Sequence, residues 1–363
     1  MKNPALIFSP GTSNSRVAII TPNFNKGDCV VECINSVREQ THENWELLFV
    51  DDHSTDQSKL KAEKLAGIDS RISVYTNPKG TKGANAARNL GLSKTEAEYV
   101  VYLDSDDLMT PECLENRLAD FAEHPECALL IYPTGLFNNV LGDSDVICNI
   151  PSEKSDLERF LGRDIVWLIS GPIWRRETLL DLDGFDLNLH SQQDFDLHVR
   201  ALIKGYNYKY FHKQPDVFYR RNIESIPRRQ SQSLEHFRDR FKMQLKHHRL
   251  LMDFDKLNKN TERLISRSIL DLAQMMRWHM TEMGNMALKE AEEMWATCRE
   301  LKLVEQKEYR IGLKYIRFKH QMIYNRLPAL KRTLEKRYHK KLDGLIHHPS
   351  QTYCKVTMAD YEV

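Results

Sequence analysis

The sequence predicts an α/β fold in which a mainly parallel central sheet is followed by an α-helical C-terminal domain. Three observations carry that expectation. Short apolar runs alternate with amphipathic stretches from Val17 to Phe211, the pattern of right-handed βαβ units. Polar, acid-rich clusters close several of these runs, as loops at strand ends do. Beyond Ser231 no strand candidate follows for about a hundred residues, and apolar side chains recur at helical spacing instead.

Taken in order, Val17–Thr21 (VAIIT) reads as a buried strand that Pro22 ends. Asp28 suits an N-cap, and Val30, Val31, Ile34 and Val37 then fall at helical spacing. Trp45–Val50 is a second strand, closed by the polar cluster Asp51–Asp56 and followed by a short lysine-rich helix. Arg71–Thr76 is a third strand, Gly83–Ser93 an alanine-rich helix, and Tyr99–Leu103 a fourth strand. Pro111 sits where the first turn of a helix accepts proline, and that helix runs to about Glu123 before a fifth strand at Ala128–Tyr132. Asn138–Asp164 breaks into loop. Asp164–Trp174 reads as strand again, with a short helix and the turn Asp181–Phe185 behind it. Ser191–Lys204 is an amphipathic helix and Tyr206–Phe211 another strand. Phe237, Phe241 and Leu245, then Leu264, Ile265, Ile269, Leu272 and Met276, predict a bundle of four or five helices. The expected division is a flexible N-terminus over 1–15, a catalytic domain over 16–230, a helical domain over 231–348 and a tail over 349–363.

The whole chain narrows the function classes. Its 363 residues favour two domains, and 41% hydrophobic with 28% charged residues is the mix of a globular protein. A net charge of +1 argues against a nucleic-acid partner. No apolar run reaches the length of a membrane span, and MKNPALIFSP is a poor signal peptide, so a cytoplasmic location is expected. The seven cysteines are scattered without a CxxC pair, which argues for reduced, buried thiols rather than zinc or dithiol chemistry. Cys29 and Cys33, one helical turn apart, read as two core positions. One stretch departs from neutrality: Leu301–His348 carries 13 Lys or Arg against 4 Asp or Glu. Tyr315, Ile316, Phe318, Met322, Ile323 and Leu327 lie among those charges, the pattern either of a surface-seeking amphipathic helix or of one face of a bundle. The first reading expects peripheral contact with the inner membrane face, or a homo-oligomer.

Chemistry concentrates at the strand ends, where ligands bind in open parallel sheets. The first strand ends in Pro22-Asn23-Phe24-Asn25, the second in Asp51-Asp52-His53-Ser54-Thr55-Asp56, and the fourth in Asp104-Ser105-Asp106-Asp107. Packed carboxylates repel unless a cation or donors neutralise them. Carboxylates two residues apart suit a hard, oxygen-seeking ion, Mn²⁺ or Mg²⁺, which also binds diphosphate oxygens.

From about Val17 to Ile226 the chain resembles glycosyltransferase family 2, the inverting transferases of GT-A (Rossmann-like) fold. The resemblance rests on VAIITPNFN, the INSVREQTHENWELLFVDDHSTD stretch, GANAARNLG, YLDSDD, the Gly184–Asp186 turn, QDFDLHVRAL and FYRRNIESI, in that order and spacing. It implies transfer of a sugar from a nucleotide diphosphate, UDP being the commonest, to a glycan or lipid-linked glycan acceptor. A role in bacterial surface polysaccharide synthesis goes with it. It further implies that Pro22 and Phe24 hold the nucleobase, that Asp52 accepts a hydrogen bond from base or ribose, and that Lys82 reaches the phosphates. Asp104 and Asp106 match the metal motif, with Asp104 also beside the nucleotide. Asp194 matches the general base, Gln193 stands where a glutamate is usual, and Arg220 and Arg221 match a basic loop over the diphosphate. Asn222 stands where a metal-binding histidine is frequent. Asp196 is the rival base, His198 is either a site or a structural histidine, and Arg88 with Asn89 is expected only to fix its helix against the rim.

The chemistry suits this residue set. Breaking a sugar–diphosphate bond leaves negative charge on the phosphate, which a divalent ion stabilises, while a carboxylate opposite takes the acceptor's proton. A nucleotidyltransferase would need a glycine-rich basic loop after the first strand, and Asn23-Phe24-Asn25-Lys26-Gly27 is not one. A catalytically inactive GT-A-like binding protein would have no need for Asp104, Asp106 and Asp194 together.

Overall fold

A computed structural model describes residues 14–149, 152–221, 233–276 and 285–320, with residues 318–320 described for their backbone alone. The expected N-terminal segment up to residue 13, Asn222, Met322, Ile323, Leu327, and the tail lie outside the described residues.

The described residues form a seven-stranded sheet in the order β10-β6-β9-β4-β1-β2-β3. The strands are β1 (Val17–Asn23), β2 (Trp45–Asp51), β3 (Ile72–Thr76), β4 (Tyr99–Tyr102), β6 (Leu129–Ile131), β9 (Pro172–Arg175) and β10 (Tyr208–Tyr210). All neighbours pair in parallel except β9, which runs antiparallel between β4 and β6. Helices α1 (Cys29–Arg38), α2 (Ser58–Ala66), α3 (Ala84–Ser93) and α4 (Cys113–Glu123) supply the crossovers of the first half. After β2 and β3 are laid on one side of β1, the chain crosses to put β4 on the other. The carboxyl ends of β1 and β4 are therefore the point where the strand order reverses, the place where ligands bind in open sheets of this kind.

Burial on both faces explains why the central strands are continuous apolar runs. Val17 and Ile19 of β1 point into a core with Val30, Cys33, Ile34 and Val37 of α1, whereas Ala18 and Ile20 point into the opposite core with Leu92 of α3. The α1 stripe is the expected one, but Cys29 is half-buried and off it, so of that pair only Cys33 is a core thiol. Asp28 precedes α1 without a side-chain cap bond. Gly91 lets α3 lie close on β1, because a Cβ there would meet Ile20 Cγ2 at 2.5 Å.

Two features depart from the expected elements. The predicted strand Asp164–Trp174 shrinks to β9, since Val166 and Trp167 are buried as packing side chains ahead of it rather than as ladder residues. A second, four-stranded sheet was not legible: β5 (Leu108–Met109), β11 (Val217–Arg220), β7 (Thr134–Phe137) and β8 (Ile147–Cys148). Strands of two to four residues carry too little alternation to be read from sequence. Its β5–β11 pairing follows directly on the Asp104–Asp107 turn.

Helices α5 (Asp156–Leu161), α6 (Arg176–Asp181) and α7 (Gln193–Lys204) complete the first part of the chain. Behind it come α8 (Leu234–Asp253), α9 (Lys259–Met275), α10 (Asn285–Glu300) and α11 (Gln306–His320). Ser233 caps α8, and Asn258 with Thr261 forms a capping box on α9. The apolar stripes of these helices join the core that lies on the α3 and α7 face of the sheet. Tyr315 and Ile316 are buried in that core, so these two side chains pack within the bundle and are withheld from any membrane surface. Among the described residues no helix is long and apolar enough to cross a membrane.

Candidate active site

Asn23, the last residue of β1, organises the rim. Its buried Nδ2 donates to Asp51 Oδ1 at 2.9 Å, Ser54 Oγ at 3.0 Å and Ser58 Oγ at 2.9 Å, and its Oδ1 accepts from Ser105 Oγ at 3.0 Å. One amide thus ties the ends of β1, β2 and β4 together. Phe24 follows on the outside, 54% exposed. Pro22 precedes it in a fully buried strand.

Asp52 lies just past β2 and accepts from Asn77 Nδ2 at 2.7 Å and from the Gly83 amide at 2.8 Å. Gly83, at φ +98°, starts α3, so Asp52 fixes that helix against the rim. Lys82 stands exposed beside it.

Helix α3 then presents Asn85, Arg88 and Asn89 on one face, as the spacing i, i+3, i+4 requires. Asn85 Nδ2 donates to the carbonyls of Asp186 and Leu189 at 2.7 and 2.8 Å. Asn89 exchanges two 2.8 Å bonds with the backbone of Phe185. The Gly184–Asp186 turn fits beneath only because Gly184 lacks a Cβ, which would lie 2.5 Å from Asn89 Oδ1, and because it holds φ +60°. Gly184→Ala is expected to cost about 1–3 kcal/mol, seen as a lower melting temperature; an unchanged melt would mean that the turn relaxes freely.

Arg88 is the residue that sequence reasoning set aside. Its Nη2 donates to Asp104 Oδ1 at 2.7 Å and its Nη1 approaches Gln193 Oε1 at 3.4 Å, so it links the acidic turn after β4 to the start of α7. Asn89 does fix the helix; Arg88 reaches into the site.

The acidic turn itself is layered. The Asp104 side chain is 29% exposed, that of Asp106 only 8%, and Asp107 is fully buried. Lys26 Nζ lies 2.5 Å from Asp106 Oδ2. Burial pulls the Lys26 pKa down, but the charges of Asp106, Asp104 and Asp107 outweigh it and raise it overall. Burial, then the charges of Asp104 and Asp106, push the Asp107 carboxyl well above the usual carboxylate range. Asp107 Oδ1 accepts from the Arg220 amide at 3.0 Å, while Oδ2 finds no hydrogen-bond donor among the described residues. Arg220 stands apart from its expected place in a loop over the diphosphate. It lies in β11, with Nε on the Asp106 carbonyl at 2.9 Å and Nη2 on Glu32 at 2.6 Å, bracing the turn from beneath. Arg221 follows directly after the strand, its amide on the Phe137 carbonyl at 2.7 Å.

Asp194 lies in the first turn of α7, half-buried, with its pKa raised chiefly by burial and further by the charge of Asp104, against the opposing pull of the Phe195 amide and Arg88. Asp196, the rival base, is committed elsewhere. It is fully buried and bonded to Arg200 at 2.7 Å, Lys246 at 2.6 Å and His247 at 2.9 Å. Those partners outweigh burial and hold its carboxyl far below the usual range. His198 is a core histidine, packed against Trp174, Trp167 and Phe160, where burial pushes its pKa down to about 3.

A divalent ion is testable against this donor set. Asp104 and Asp106 supply hard oxygens two residues apart, whereas Asp107 is buried behind them with its carboxyl pushed toward the neutral form. Among the described residues no three His, Cys, Asp or Glu side chains converge as a ready-made cage. The set therefore fits an ion that brings oxygens of its own, as one bound to a diphosphate does.

The family model for glycosyl transferase family 2 matches residues 18–161. A Bacillus subtilis glycosyltransferase named for teichuronic acid biosynthesis, TuaG, is 38% identical over 191 residues, which is 52% of this chain and 73% of that protein. An Escherichia coli K12 glycosyl transferase named for colanic acid biosynthesis, WcaA, is 30% identical over 199 residues, 53% of this chain and 68% of the other. Among solved structures, Staphylococcus aureus TarS 1–349 in complex with UDP-GlcNAc superposes with a TM-score of 0.58 at 19% identity, covering 90% of this chain and 92% of that one. That last likeness speaks to the fold.

Proposed function

The chain belongs to glycosyltransferase family 2, and on that premise we propose that it inverts the anomeric centre as it moves a sugar from a nucleotide diphosphate to an acceptor hydroxyl. The observation that carries this reading is Arg88 spanning Asp104 and Gln193. It links the half-buried Asp104 at the end of β4 to Gln193, the residue before Asp194 in α7, and the reading assigns these two carboxylates to opposite sides of the reacting carbon. Separate carboxylates on the leaving-group side and the acceptor side are what a single displacement needs, and no protein nucleophile takes part.

Asp104 and Asp106 would hold a Mn²⁺ or Mg²⁺ ion, whose contribution is to neutralise charge on the leaving diphosphate. Phe24 offers its exposed ring to the base above Pro22, Asp52 lies beside the base or ribose, and Lys82 and Arg221 supply positive charge for the phosphates. Arg220 serves by holding the acidic turn in place. Asp194 accepts the proton as the hydroxyl attacks, and its raised pKa makes it the stronger base for that step.

UDP is the proposed nucleotide, supported by the UDP-GlcNAc complex of TarS, and a surface polysaccharide or its lipid-linked precursor the proposed acceptor, supported by the names of TuaG and WcaA. Transfer from a UDP-sugar followed by NMR tests the mechanism: the product anomer should be opposite to the donor's, and the donor's own configuration in the product would overturn it. Phe24→Ala is expected to weaken UDP binding by about tenfold, since a base–aromatic stack contributes about 1–3 kcal/mol. Calorimetric titration checks this, and an unchanged affinity would take Phe24 out of the nucleotide site.

A further inference from the structure

We propose that Lys26 is a resident counter-ion that holds Asp106 until a divalent ion arrives with the donor, so that metal binding depends on the nucleotide. The proposal rests on the reading of Asp104 and Asp106 as metal ligands and adds a regulating residue to that site.

Three observations support it. Lys26 Nζ sits 2.5 Å from Asp106 Oδ2, on a carboxylate only 8% exposed, so the ammonium covers an oxygen that a metal would need. The lysine is itself 33% exposed, lies between β1 and α1 on a flexible four-carbon stem, and belongs to neither apolar core. The second carboxylate is also matched, by Arg88 on Asp104 Oδ1 at 2.7 Å, so the crevice is already charge-neutralised on both ligands. A bare ion must displace an ammonium from Asp106 and is offered no cage in return. An ion carried on a diphosphate brings extra oxygens and tips that exchange, while the displaced ammonium stays beside a polyanion that welcomes it.

Mn²⁺ binding followed by electron paramagnetic resonance, with and without UDP, tests this on wild type, Lys26→Gln, Lys26→Arg and Lys26→Gln with Asp106→Ala. Wild type should bind Mn²⁺ alone weakly and bind it much more tightly with UDP. Lys26→Gln should bind Mn²⁺ alone up to about fivefold more tightly, as expected for removing a competing ion pair of this kind, so that UDP enhances binding less. Lys26→Arg keeps the charge and should behave as wild type. Lys26→Gln binding no more tightly than wild type would overturn the proposal and leave the metal site standing. Tightening that survives Asp106→Ala would overturn it too, because the ion would then sit elsewhere. Absence of Mn²⁺ binding in every protein even with UDP would remove the metal reading and this inference with it.

Discussion

Asp194→Asn is expected to lower sugar transfer by about 10²–10⁴-fold while donor affinity stays near wild type. The amide keeps the shape of the side chain and loses only the capacity to take a proton. Among the described residues Asp194 makes no ion pair, whereas Asp196, two residues on, is bonded to Arg200, Lys246 and His247. Asp196→Asn should therefore depress stability first, through α7 and α8, and the two variants separate by melting temperature. Transfer at wild-type rate in Asp194→Asn would end its role as base. The pH profile gives an independent check. A base works in its ionised form, so activity should be present above the Asp194 pKa and fall as pH drops through it. Burial raises that pKa, so the acid limb should lie above the range of an ordinary aspartate.

Asp106→Ala is expected to abolish metal-stimulated turnover, since the divalent ion is asked for several kcal/mol of charge stabilisation on the leaving diphosphate. The fold should survive it. Arg220 holds the turn through the Asp106 backbone carbonyl and the Asp107 side chain, and neither is touched by the substitution. The ion pair given up is the half-exposed one with Lys26, which contributes about 1 kcal/mol or less to stability. Full turnover of wild type in excess EDTA, or of Asp106→Ala with added Mn²⁺, would refute the assignment.

Much of this site was legible because local chemistry fixed it. Strands with both faces buried must be apolar throughout, so VAIIT, WELLFV and YVVYL announced the parallel sheet and located its rim. The carboxyl ends of those strands had to carry the polar residues, and Asp52, Asp104, Asp106 and Phe24 were found there. Arg88 was hidden for the opposite reason. An arginine in an alanine-rich helix reads as an exposed or packing residue, and only the docking of α3 on β1 through Gly91 aims it at Asp104. Its spacing from Asn85 and Asn89 was a signal, but the partners, Asp186 and Gln193, lie about a hundred residues away.

The sequence by itself determined the mainly parallel sheet, the helical C-terminal region, the family and the acidic strand ends, because periodicity and strand-end chemistry are properties of neighbouring residues. Only the tertiary structure buried Asp196 among Arg200, Lys246 and His247 and took His198 into the core. It also moved Arg220 from a closing loop to a strand beneath the acidic turn and set Lys26 against Asp106. Each of those outcomes depends on which distant side chain fills the space beside a charged or polar group. The contacts of Asp196 with Lys246 and His247, of Lys26 with Asp106 and of Arg220 with the Asp106 carbonyl join residues 50 to 114 apart in the chain, which no local pattern records.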